Sequence, residues 1–473
     1  MLHSSHWPFD VEREAIAWTV LPLLITMHID TPANSGSPDT ATTLRQWLAV
    51  LAVAVSAFAF VTAEFLPVGL LPQISHDLGV TAGVAGLMVT TPGVMAAVFA
   101  PTLLVGAGRM DRRYVFLLLT AVLFVSNVVC AMAPGFATML VGRALLGAAL
   151  GGFWTLATAA APRLVQGKDA AKATAIILTG VTFATVIGVP LGIFIASFAS
   201  WRLSFAATAG LVAVALAAQA LLVPRLPSAS GLRFGDFRAL LARPHARLSM
   251  LMVAFAFGAH FSTYTYIAPL LEQDFSLNAI TLLLLGFGVI GFFSNALMSM
   301  LVAKHLVKSV AAMILLLLGA IVSMLLLGHS HIGESAAMLI WGVAFGALPL
   351  CFSVWIQRGT ADYPEAGSAM FVSIIQVAIA TGSAVGGAIV DRAGVEIDFM
   401  LGAGLAVLGL VTLQPVAALG RSRIGAAGAM RGRWVVEGLT RRSRTSLAGD
   451  CLLFPQWTVI GVEIVDDATH GLS

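Results

Sequence analysis

The stretch QWLAVLAVAVSAFAFVTAEFLPVGLL, residues 46–71, is long enough to cross a bilayer as a helix and holds one carboxylate, Glu64. A helix needs about 20 apolar residues to cross the hydrocarbon core. An acid near mid-bilayer costs roughly 2.5 to 3.5 kcal/mol on insertion scales, so it usually faces a protein interior or a wet cavity. Glu64 is therefore the first candidate functional residue, and a structural acid satisfied by a neighbouring helix is the alternative.

The composition of the whole chain indicates an integral membrane protein. Of its 473 residues, 59% are hydrophobic and 10% are charged, and the mean hydropathy is +0.94. Soluble domains carry roughly 25% charged residues. Cys130, Cys351 and Cys451 are widely separated and fit neither a metal-ligand spacing nor a disulfide framework.

Apolar runs of about twenty residues recur from Gln46 onward, separated by charged residues and by Gly or Pro. The pattern predicts an all-α polytopic fold with twelve spans. The predicted spans are 46–71, 83–105, 114–133, 138–162, 173–197, 203–223, 248–271, 280–302, 310–328, 335–356, 367–390 and 399–419.

The basic residues alternate from loop to loop in the way this count requires. The loops on one side of the predicted bundle hold only two basic residues, Arg202 and Arg392. The loops on the basic side hold Arg109, Arg112, Arg113, Arg163, Lys168, Lys172, Arg225, Arg233, Arg238, Arg243, Arg247, Lys304, Lys308 and Arg358. Because cytoplasmic loops carry the excess of Lys and Arg, we expect a multi-pass inner-membrane protein with both termini in the cytoplasm.

The longest predicted connection, 224–247, divides the spans six and six. We expect a cytoplasmic tail at 1–45, a six-helix bundle at 46–223, a cytoplasmic linker at 224–247, a second six-helix bundle at 248–419 and an Arg-rich tail at 420–473. We further expect translation to begin at Met27, because the residues after it read as a short polar tail before a first span.

The two halves repeat one another at similar offsets. Pro72 and Asp77 match Pro269 and Asp274 at an offset of 197. Three pairs of glycines also match: Gly188 with Gly382 and Gly192 with Gly386 at an offset of 194, and Gly147 with Gly346 at an offset of 199. Because the matched positions have similar offsets and follow the same order in both halves, they predict a duplicated six-helix unit. This is the plan of transporters that bind substrate between two halves.

Arg143 and His260 are the other ionisable side chains well inside predicted spans. Counting from the span ends at about 1.5 Å per residue puts Glu64 and Arg143 both on the order of 10 Å below the outer surface. The shared depth allows an ion pair between them. A carboxylate that separates from a guanidinium takes a proton more readily, which is an outline of proton coupling.

Several polar and aromatic side chains are candidates for substrate binding. Gly147, Gly151 and Trp154 follow Arg143 near one helix face, although small residues in this spacing also serve close helix packing. His260 and Tyr264 are one turn apart, and a histidine satisfied inside the bundle is an equal alternative. Weaker candidates in later spans are Ser353, Trp355, Gln357, Ser373 and Gln376.

The sequence has no motif that indicates an enzyme. The string GFGVIG at residues 286–291 lies inside an apolar span rather than after a strand, so the nucleotide-binding context is missing. No P-loop, H-E-x-x-H or G-x-S-x-G is present. We expect a protein that is not an enzyme and has no cofactor, metal or nucleic-acid partner.

GRALLG in span 4, GVPLG in span 5 with the following SWRLSF, and DRR between spans 2 and 3 resemble the major facilitator superfamily in its drug:proton antiporter branch. AEFLPVGLLPQI, GGFW, TYIAPLL and IWGVAFGALPLCFSVWIQR narrow the resemblance to purine ribonucleoside efflux pumps and the related arabinose-type sugar-efflux permeases. It covers about residues 46–419.

The resemblance implies roles for residues at matching positions. It makes the loop between spans 2 and 3 a cytoplasmic gate, at Gly106, Asp111, Arg112 and Arg113, and it links Arg143 to proton transfer. The corresponding segment of the second half, 304–308, has no acid. The antiporter signature falls on Gly188, Pro190 and Gly192, which favours export by exchange.

The residues and the resemblance together predict a monomeric proton-coupled exporter of a small organic solute, most directly a purine ribonucleoside, powered by the proton gradient. Glu64 and Arg143 carry proton coupling in this hypothesis, and Trp154, His260, Tyr264, Trp355 and Gln376 contact substrate. A multidrug or sugar exporter is the alternative within transport. A membrane sensor that binds a ligand without moving it is the alternative outside it.

Overall fold

The structure is a computed structural model that describes residues 42–106, 110–165, 169–226, 234–327 and 330–416. Nearly all of these residues are helical, and none of them forms a strand. The predicted translation start, most of the N-terminal tail and the whole Arg-rich C-terminal tail lie outside the described residues. The predicted all-α fold is confirmed.

Fifteen α-helices follow one another in the described part of the chain. In the first half they are α1 Leu44–Leu78, α2 Ala82–Ala85, α3 Leu87–Gly106, α4 Arg112–Ala131, α5 Phe136–Leu164, α6 Ala170–Phe183, α7 Val189–Phe198 and α8 Trp201–Leu222. After the short α9 Phe234–Leu241, they are α10 Pro244–Thr265, α11 Ile267–Leu271, α12 Leu277–Leu327, α13 His331–Gly359, α14 Pro364–Ala393 and α15 Val395–Val416. A π-helical turn, Ala184–Gly188, joins α6 to α7.

Ten helical segments of the described chain are long and apolar enough to cross a membrane. One of them, α12, has 51 residues, which is about 76 Å at 1.5 Å per residue and more than twice the hydrocarbon thickness. Its backbone leaves helical geometry at His305, with φ −129° and ψ 42°, where the sequence predicts a loop between two spans. α10 has the length of a span at 22 residues but is less apolar. Twelve spans would result if α12 crosses the membrane twice and α10 crosses it once. The predicted count of twelve stays a prediction.

α1 begins and ends at residues that satisfy its free backbone groups. Thr43 and Gln46 form a capping box, in which the Thr43 amide donates to Gln46 Oε1 at 2.8 Å. At the other end Gly79 adopts φ 64°, a left-handed conformation that glycine takes without a Cβ clash. The helix that carries Glu64 therefore extends beyond the predicted 46–71 at both ends.

The helices pack mainly within two halves, one on each side of α9. In the first half α1 packs against α5, α6, α7 and α8, and α5 packs against α3 and α4. In the second half α10 packs against α14, and α12 packs against α13. The halves meet where α14 contacts α2 and α3, where α1 contacts α11, and where α12 contacts the π-helical turn and α7.

Matched glycines make matched contacts in the two halves. A Cβ on Gly147 would lie 2.4 Å from the carbonyl oxygen of Pro92, and a Cβ on Gly346 would lie 2.3 Å from that of Gly291. Gly346 follows Gly147 by 199 residues, and Gly291 follows Pro92 by the same number. α5 therefore touches α3 in the first half in the same way that α13 touches α12 in the second.

The described part of the linker before α10 is tied to the second half. Arg243 precedes α10 and forms an ion pair with Asp362, in the turn between α13 and α14. The hydrogen bonds from Arg243 to Asp362 raise the pKa of the guanidinium above its ordinary value. Residues 234–241 of the predicted linker form a helix, α9, rather than irregular chain.

Candidate functional site

Glu64 lies in the middle of α1 and is 4% exposed. Its Oε1 accepts a hydrogen bond of 3.1 Å from Gln376 Nε2 of α14, in the other half. The remaining polar atom of Gln376, Oε1, is buried and has no hydrogen-bond partner among the described residues. The acid therefore lies at the contact between the halves.

Arg143 of α5 is 1% exposed and donates three hydrogen bonds to main-chain carbonyls. Nη1 donates to Ala63 at 2.5 Å, Nη2 to Glu64 at 2.7 Å and Nε to Met88 at 2.6 Å. The predicted ion pair is absent, because the guanidinium binds the backbone of Glu64 and not its carboxylate. The two side chains share a depth, as the sequence predicts, but they are not direct partners.

Two prolines explain why these carbonyls need a donor. In a helix the carbonyl of residue i accepts from the N–H of residue i+4, and proline has no N–H. Pro67 leaves the carbonyl of Ala63 without this donor, and Pro92 leaves that of Met88 without one. Arg143 supplies both missing hydrogen bonds, and charged donors make the stronger kind. It therefore joins α1, α3 and α5 at the level of Glu64.

His260 of α10 is a fully buried polar residue of the second half. Trp341 Nε1 of α13 donates to His260 Nδ1 at 3.0 Å. An indole nitrogen only donates, so Nδ1 accepts, and the neutral ring carries its proton on Nε2. Nε2 is buried and has no partner among the described residues, which leaves one donor for a ligand.

Aromatic rings enclose His260. Phe345 stacks on it with centroids 3.4 Å apart, and Tyr264 stacks at 4.7 Å. Phe65 and Phe261, the residues next to Glu64 and His260, stack on each other at 5.6 Å. The predicted pair of His260 and Tyr264 is thus brought together, and a stacked ring pair joins α1 to α10 between the acid and the imidazole.

Two predicted substrate contacts lie elsewhere. Trp154 is eleven residues after Arg143 in α5, about 16 Å along the helix, and packs edge-on against Phe153 at 6.1 Å. Trp355 is fourteen residues after Trp341 in α13, about 21 Å along the helix, and donates to Ser249 Oγ at 3.0 Å. Their proposed contact with substrate stays a prediction, and the structure does not group them with Glu64.

The antiporter signature packs directly on the helix that carries Glu64. A Cβ on Gly188 would lie 2.8 Å from Thr62 Oγ1, and a Cβ on Gly192 would lie 2.0 Å from Leu66. Pro190, which has no backbone N–H, is the second residue of α7 and lies just after the π-helical turn Ala184–Gly188. The signature therefore packs the π-helical turn and α7 closely against Thr62 and Leu66, two residues before and two residues after Glu64.

The predicted gate residues join helices of the first half. Asp111 caps α4 by accepting from the Arg113 amide at 2.9 Å, and it also accepts from the Leu226 amide at 2.8 Å. Arg113 Nη2 donates to the carbonyl of Ala220 at 2.7 Å. Arg112 is 8% exposed. Gly106 ends α3. Their role as a gate stays a prediction.

At the end of the bundle where α1 finishes, here called the Leu78 end, the two halves are closed against each other. Asp391 of α14 accepts from Thr81 Oγ1 at 2.6 Å and from the Gly83 amide at 2.8 Å. Ser383 Oγ donates to the carbonyl of Gly86 at 3.0 Å. A Cβ on Gly83 would lie 2.1 Å from the carbonyl oxygen of Gly387. Sequence reasoning missed Asp391, because it directly follows a predicted span.

Among the described residues, no group of three or more His, Cys, Asp or Glu side chains could hold a metal ion. Across the contact between the halves, the Glu64 carboxylate meets the Gln376 amide and Phe65 stacks on Phe261, while the His260 imidazole lies next to Phe261 within the second half. This set can exchange a proton and can stack on and hydrogen-bond a small organic molecule.

The fold and the site define a polytopic helical membrane protein whose two halves meet at a buried acid. The model of the Major Facilitator Superfamily matches residues 53–375. The chain belongs to this superfamily of membrane transporters, as the sequence motifs predict.

Two relatives and one solved structure place it further. The chain is 33% identical over 396 residues to the transcription regulatory protein OpdE of Pseudomonas aeruginosa, covering 81% of this chain and 96% of that protein. It is 34% identical over 366 residues to the purine ribonucleoside efflux pump NepI of Salmonella paratyphi C, covering 76% and 92%. The crystal structure of a point mutant of the nucleoside transporter NupG aligns with a TM-score of 0.63 at 16% identity, over 78% of this chain and 99% of that one, which shows the shared fold.

Proposed function

We propose that this protein exports purine ribonucleosides or closely related compounds across the inner membrane in exchange for protons. The observation that carries the proposal is the buried Glu64 at the contact between the halves, held there by Gln376. Intramembrane acids in such positions mark ion and proton pathways. The likeness to NepI, named a purine ribonucleoside efflux pump, supports the choice of substrate and direction.

The position of the Glu64–Gln376 hydrogen bond supports the proposed proton coupling. The bond joins α1 to α14, so a movement that separates the halves also breaks it. Glu64 would then exchange its proton with water in the opened cavity and return to Gln376 when the halves close. Arg143 keeps the backbone around Glu64 fixed during this movement, because it binds main-chain carbonyls of α1 and α3.

Substrate recognition falls to the cluster around His260. The free Nε2 donor can bind an acceptor on a nucleobase or ribose, and the aromatic rings can stack on a planar base. A buried hydrogen-bond donor in an aromatic pocket is how proteins orient small ligands. These groups therefore suit a planar nucleoside such as adenosine or inosine better than an acyclic cation or a lipid.

The test uses purified protein in liposomes with an imposed pH gradient and labelled inosine. Wild type should move inosine against its gradient, and Glu64→Gln should lose this movement while inserting normally. Glu396→Gln is the matched control, because Glu396 is exposed at the Leu78 end. Unchanged pH-driven transport by Glu64→Gln would remove Glu64 from the mechanism. A panel of drugs and sugars in the same assay would identify the alternative exporter.

A second candidate function, a membrane ligand sensor, is favoured by one observation. OpdE, a relative with 33% identity, is named a transcription regulatory protein. Counterflow separates the two functions, because a transporter exchanges external label for internal unlabelled nucleoside. A sensor would bind inosine and show no exchange.

A further inference from the structure

Asp398 is a second buried acid, and sequence reasoning missed it. It lies in the first turn of α15, where the sequence predicts a loop, and it is 0% exposed. Neither of its carboxylate oxygens has a hydrogen-bond partner among the described residues. A buried carboxylate with no donor and no cation pays a large desolvation cost, so its charge state needs an explanation.

The main-chain carbonyl of Ser262, which is an acceptor, lies near Asp398 at Gly386. A Cβ on Gly386 would lie 2.8 Å from Asp398 Oδ1 and 3.0 Å from the carbonyl oxygen of Ser262. That carbonyl would accept from the Tyr266 amide in a continuing helix, but the amide donates to Thr263 instead, at 3.1 Å. A carboxylate and a main-chain carbonyl that both lack their usual donors therefore lie on either side of one glycine.

The repeat shows what this position does in the first half. Ser204 and Gly192 precede Asp398 and Gly386 by the same 194 residues. Ser204 Oγ donates to the carbonyl of Gly192 at 2.6 Å, and this bond fixes α8 on α7. A hydroxyl at this position is thus a donor to backbone. A carboxyl group can only do the same when it carries a proton.

Among the described residues, no base is placed to compensate a charge on Asp398. Tyr266 is the ionisable neighbour from α10 and α11, and its hydroxyl donates to the carbonyl of Ser383 at 2.7 Å. On α14, Asp391 is bound by Thr81 and Gly83, while Arg392 is exposed on a surface groove. The other ionisable side chains described on the adjoining elements are His245, Arg247, His260 and Tyr264 of α10, His331, Glu334, Cys351 and Arg358 of α13, and Glu396 of α15. Arg247 precedes Ser262 by fifteen residues, about 22 Å along α10.

We propose that Asp398 is a proton-binding site of the second half, held as the neutral acid, with its O–H donating to the backbone where α10, α14 and α15 meet. Loss of this proton puts an uncompensated negative charge between two carbonyl-lined helices. Tyr266, Ser383 and Gly86 lie beside this junction and form part of the closed contact at the Leu78 end. The inference does not depend on the proposed nucleoside export, since it concerns a different acid on a different helix.

The first test measures protonation directly. Infrared spectra of purified wild type at neutral pH should contain a protonated-carboxyl band that Asp398→Asn removes and Glu64→Gln does not. Absence of any band assignable to Asp398 would overturn the proposal. Because the assignment of the band needs the Asp398→Asn protein, the stability of a series of variants provides a second and independent test.

The second test uses variants that differ in their ability to donate. Asp398→Asn and Asp398→Ser keep a donor, and the second copies the first-half residue, so both should keep a melting temperature near that of wild type. Asp398→Ala should melt several degrees lower. Wild type should lose melting temperature as pH rises through its ionisation, and Asp398→Asn should not. Equal destabilisation by Asn and Ala, with no pH difference from wild type, would contradict the proposal.

Discussion

Arg143 binds the main chain of Glu64, with Nη2 2.7 Å from the carbonyl oxygen, and leaves its carboxylate to Gln376. The two residues that look like an intramembrane ion pair in the sequence therefore have separate tasks. Arg143 replaces hydrogen bonds that two prolines remove, which makes it a structural cation. Glu64 keeps a carboxylate with a neutral partner from the opposite half, which suits reversible protonation.

Replacing Arg143 with methionine should mainly reduce stability. The change leaves three buried carbonyls without a side-chain donor, and a buried unsatisfied group costs about 1 to 3 kcal/mol. Thermal unfolding in detergent and abundance in the membrane measure the effect. Arg45→Met is the control, because Arg45 is exposed and makes a single long hydrogen bond of 3.4 Å. A stable Arg143→Met protein that lost only pH-driven transport would show that Arg143 acts in proton transfer instead.

The prolines allow a sharper version of this experiment. Pro67→Ala and Pro92→Ala each restore an N–H that can donate to the carbonyl four residues earlier. In the Arg143→Met background both changes should recover part of the lost stability. In wild type they should give little, because Arg143 already binds those carbonyls. The coupling energy of this double-mutant cycle measures the relationship, and additive effects would refute it.

Gln376→Leu should weaken proton coupling while preserving the fold. Leucine fills similar space but removes the amide that donates to Glu64 across the halves. Inosine accumulation driven by a pH gradient should fall severalfold, whereas counterflow without a gradient should change little. Gln273→Leu is the control, because Gln273 is exposed just after α11 and is not a candidate substrate contact. Equal losses in both assays would mean that Gln376 serves transport generally.

Gly83→Leu should prevent closure of the Leu78 end. Its Cβ would lie 2.1 Å from the backbone oxygen of Gly387, so the halves must separate to accept it. A cysteine at Ser383, which is buried in the closed contact, reports this separation in a background lacking Cys130, Cys351 and Cys451. Its labelling by a water-soluble thiol reagent should rise severalfold in Gly83→Leu.

The matched control for this change is Gly210→Leu in α8. A Cβ on Gly210 meets no atom within 4 Å, so the added side chain has open space. It adds the same apolar group without touching the contact between the halves. A folded Gly83→Leu protein with unchanged labelling would show that the glycine contact does not control this end.

The sequence was sufficient for the fold because hydropathy and length follow directly from the bilayer. Each predicted span overlaps a helix, and the glycine offsets correspond to repeated contacts between helices. It was also sufficient to single out Glu64, Arg143 and His260, since an ionisable residue in an apolar run is visible without coordinates. The hydrogen-bond partners of these residues were harder to predict, because the residue that donates to Glu64 lies 312 positions away in the chain.

The missed residues share a physical reason. Asp391 and Asp398 lie at helix ends, where a charged residue reads as part of a loop, and only tertiary packing buries Asp398. Trp341 reads as an ordinary apolar residue until its N–H is seen to reach His260. One signal was available: extending the 194-residue offset from Gly192 to Ser204 would have singled out Asp398.

His260→Phe should weaken substrate binding and also lower stability, because it leaves the buried Trp341 N–H without its acceptor. Phenylalanine keeps the stack on Phe345 but removes the free Nε2 donor, and a loss of about 1.4 kcal/mol corresponds to a tenfold higher half-saturation concentration for inosine. Trp341→Phe should act in the same direction, because it removes the hydrogen bond that orients the imidazole. Counterflow at varied inosine concentration measures both variants, with His331→Phe as an exposed control. An unchanged half-saturation concentration in a stable His260→Phe protein would reduce His260 to a packing residue, since stacking alone survives the change.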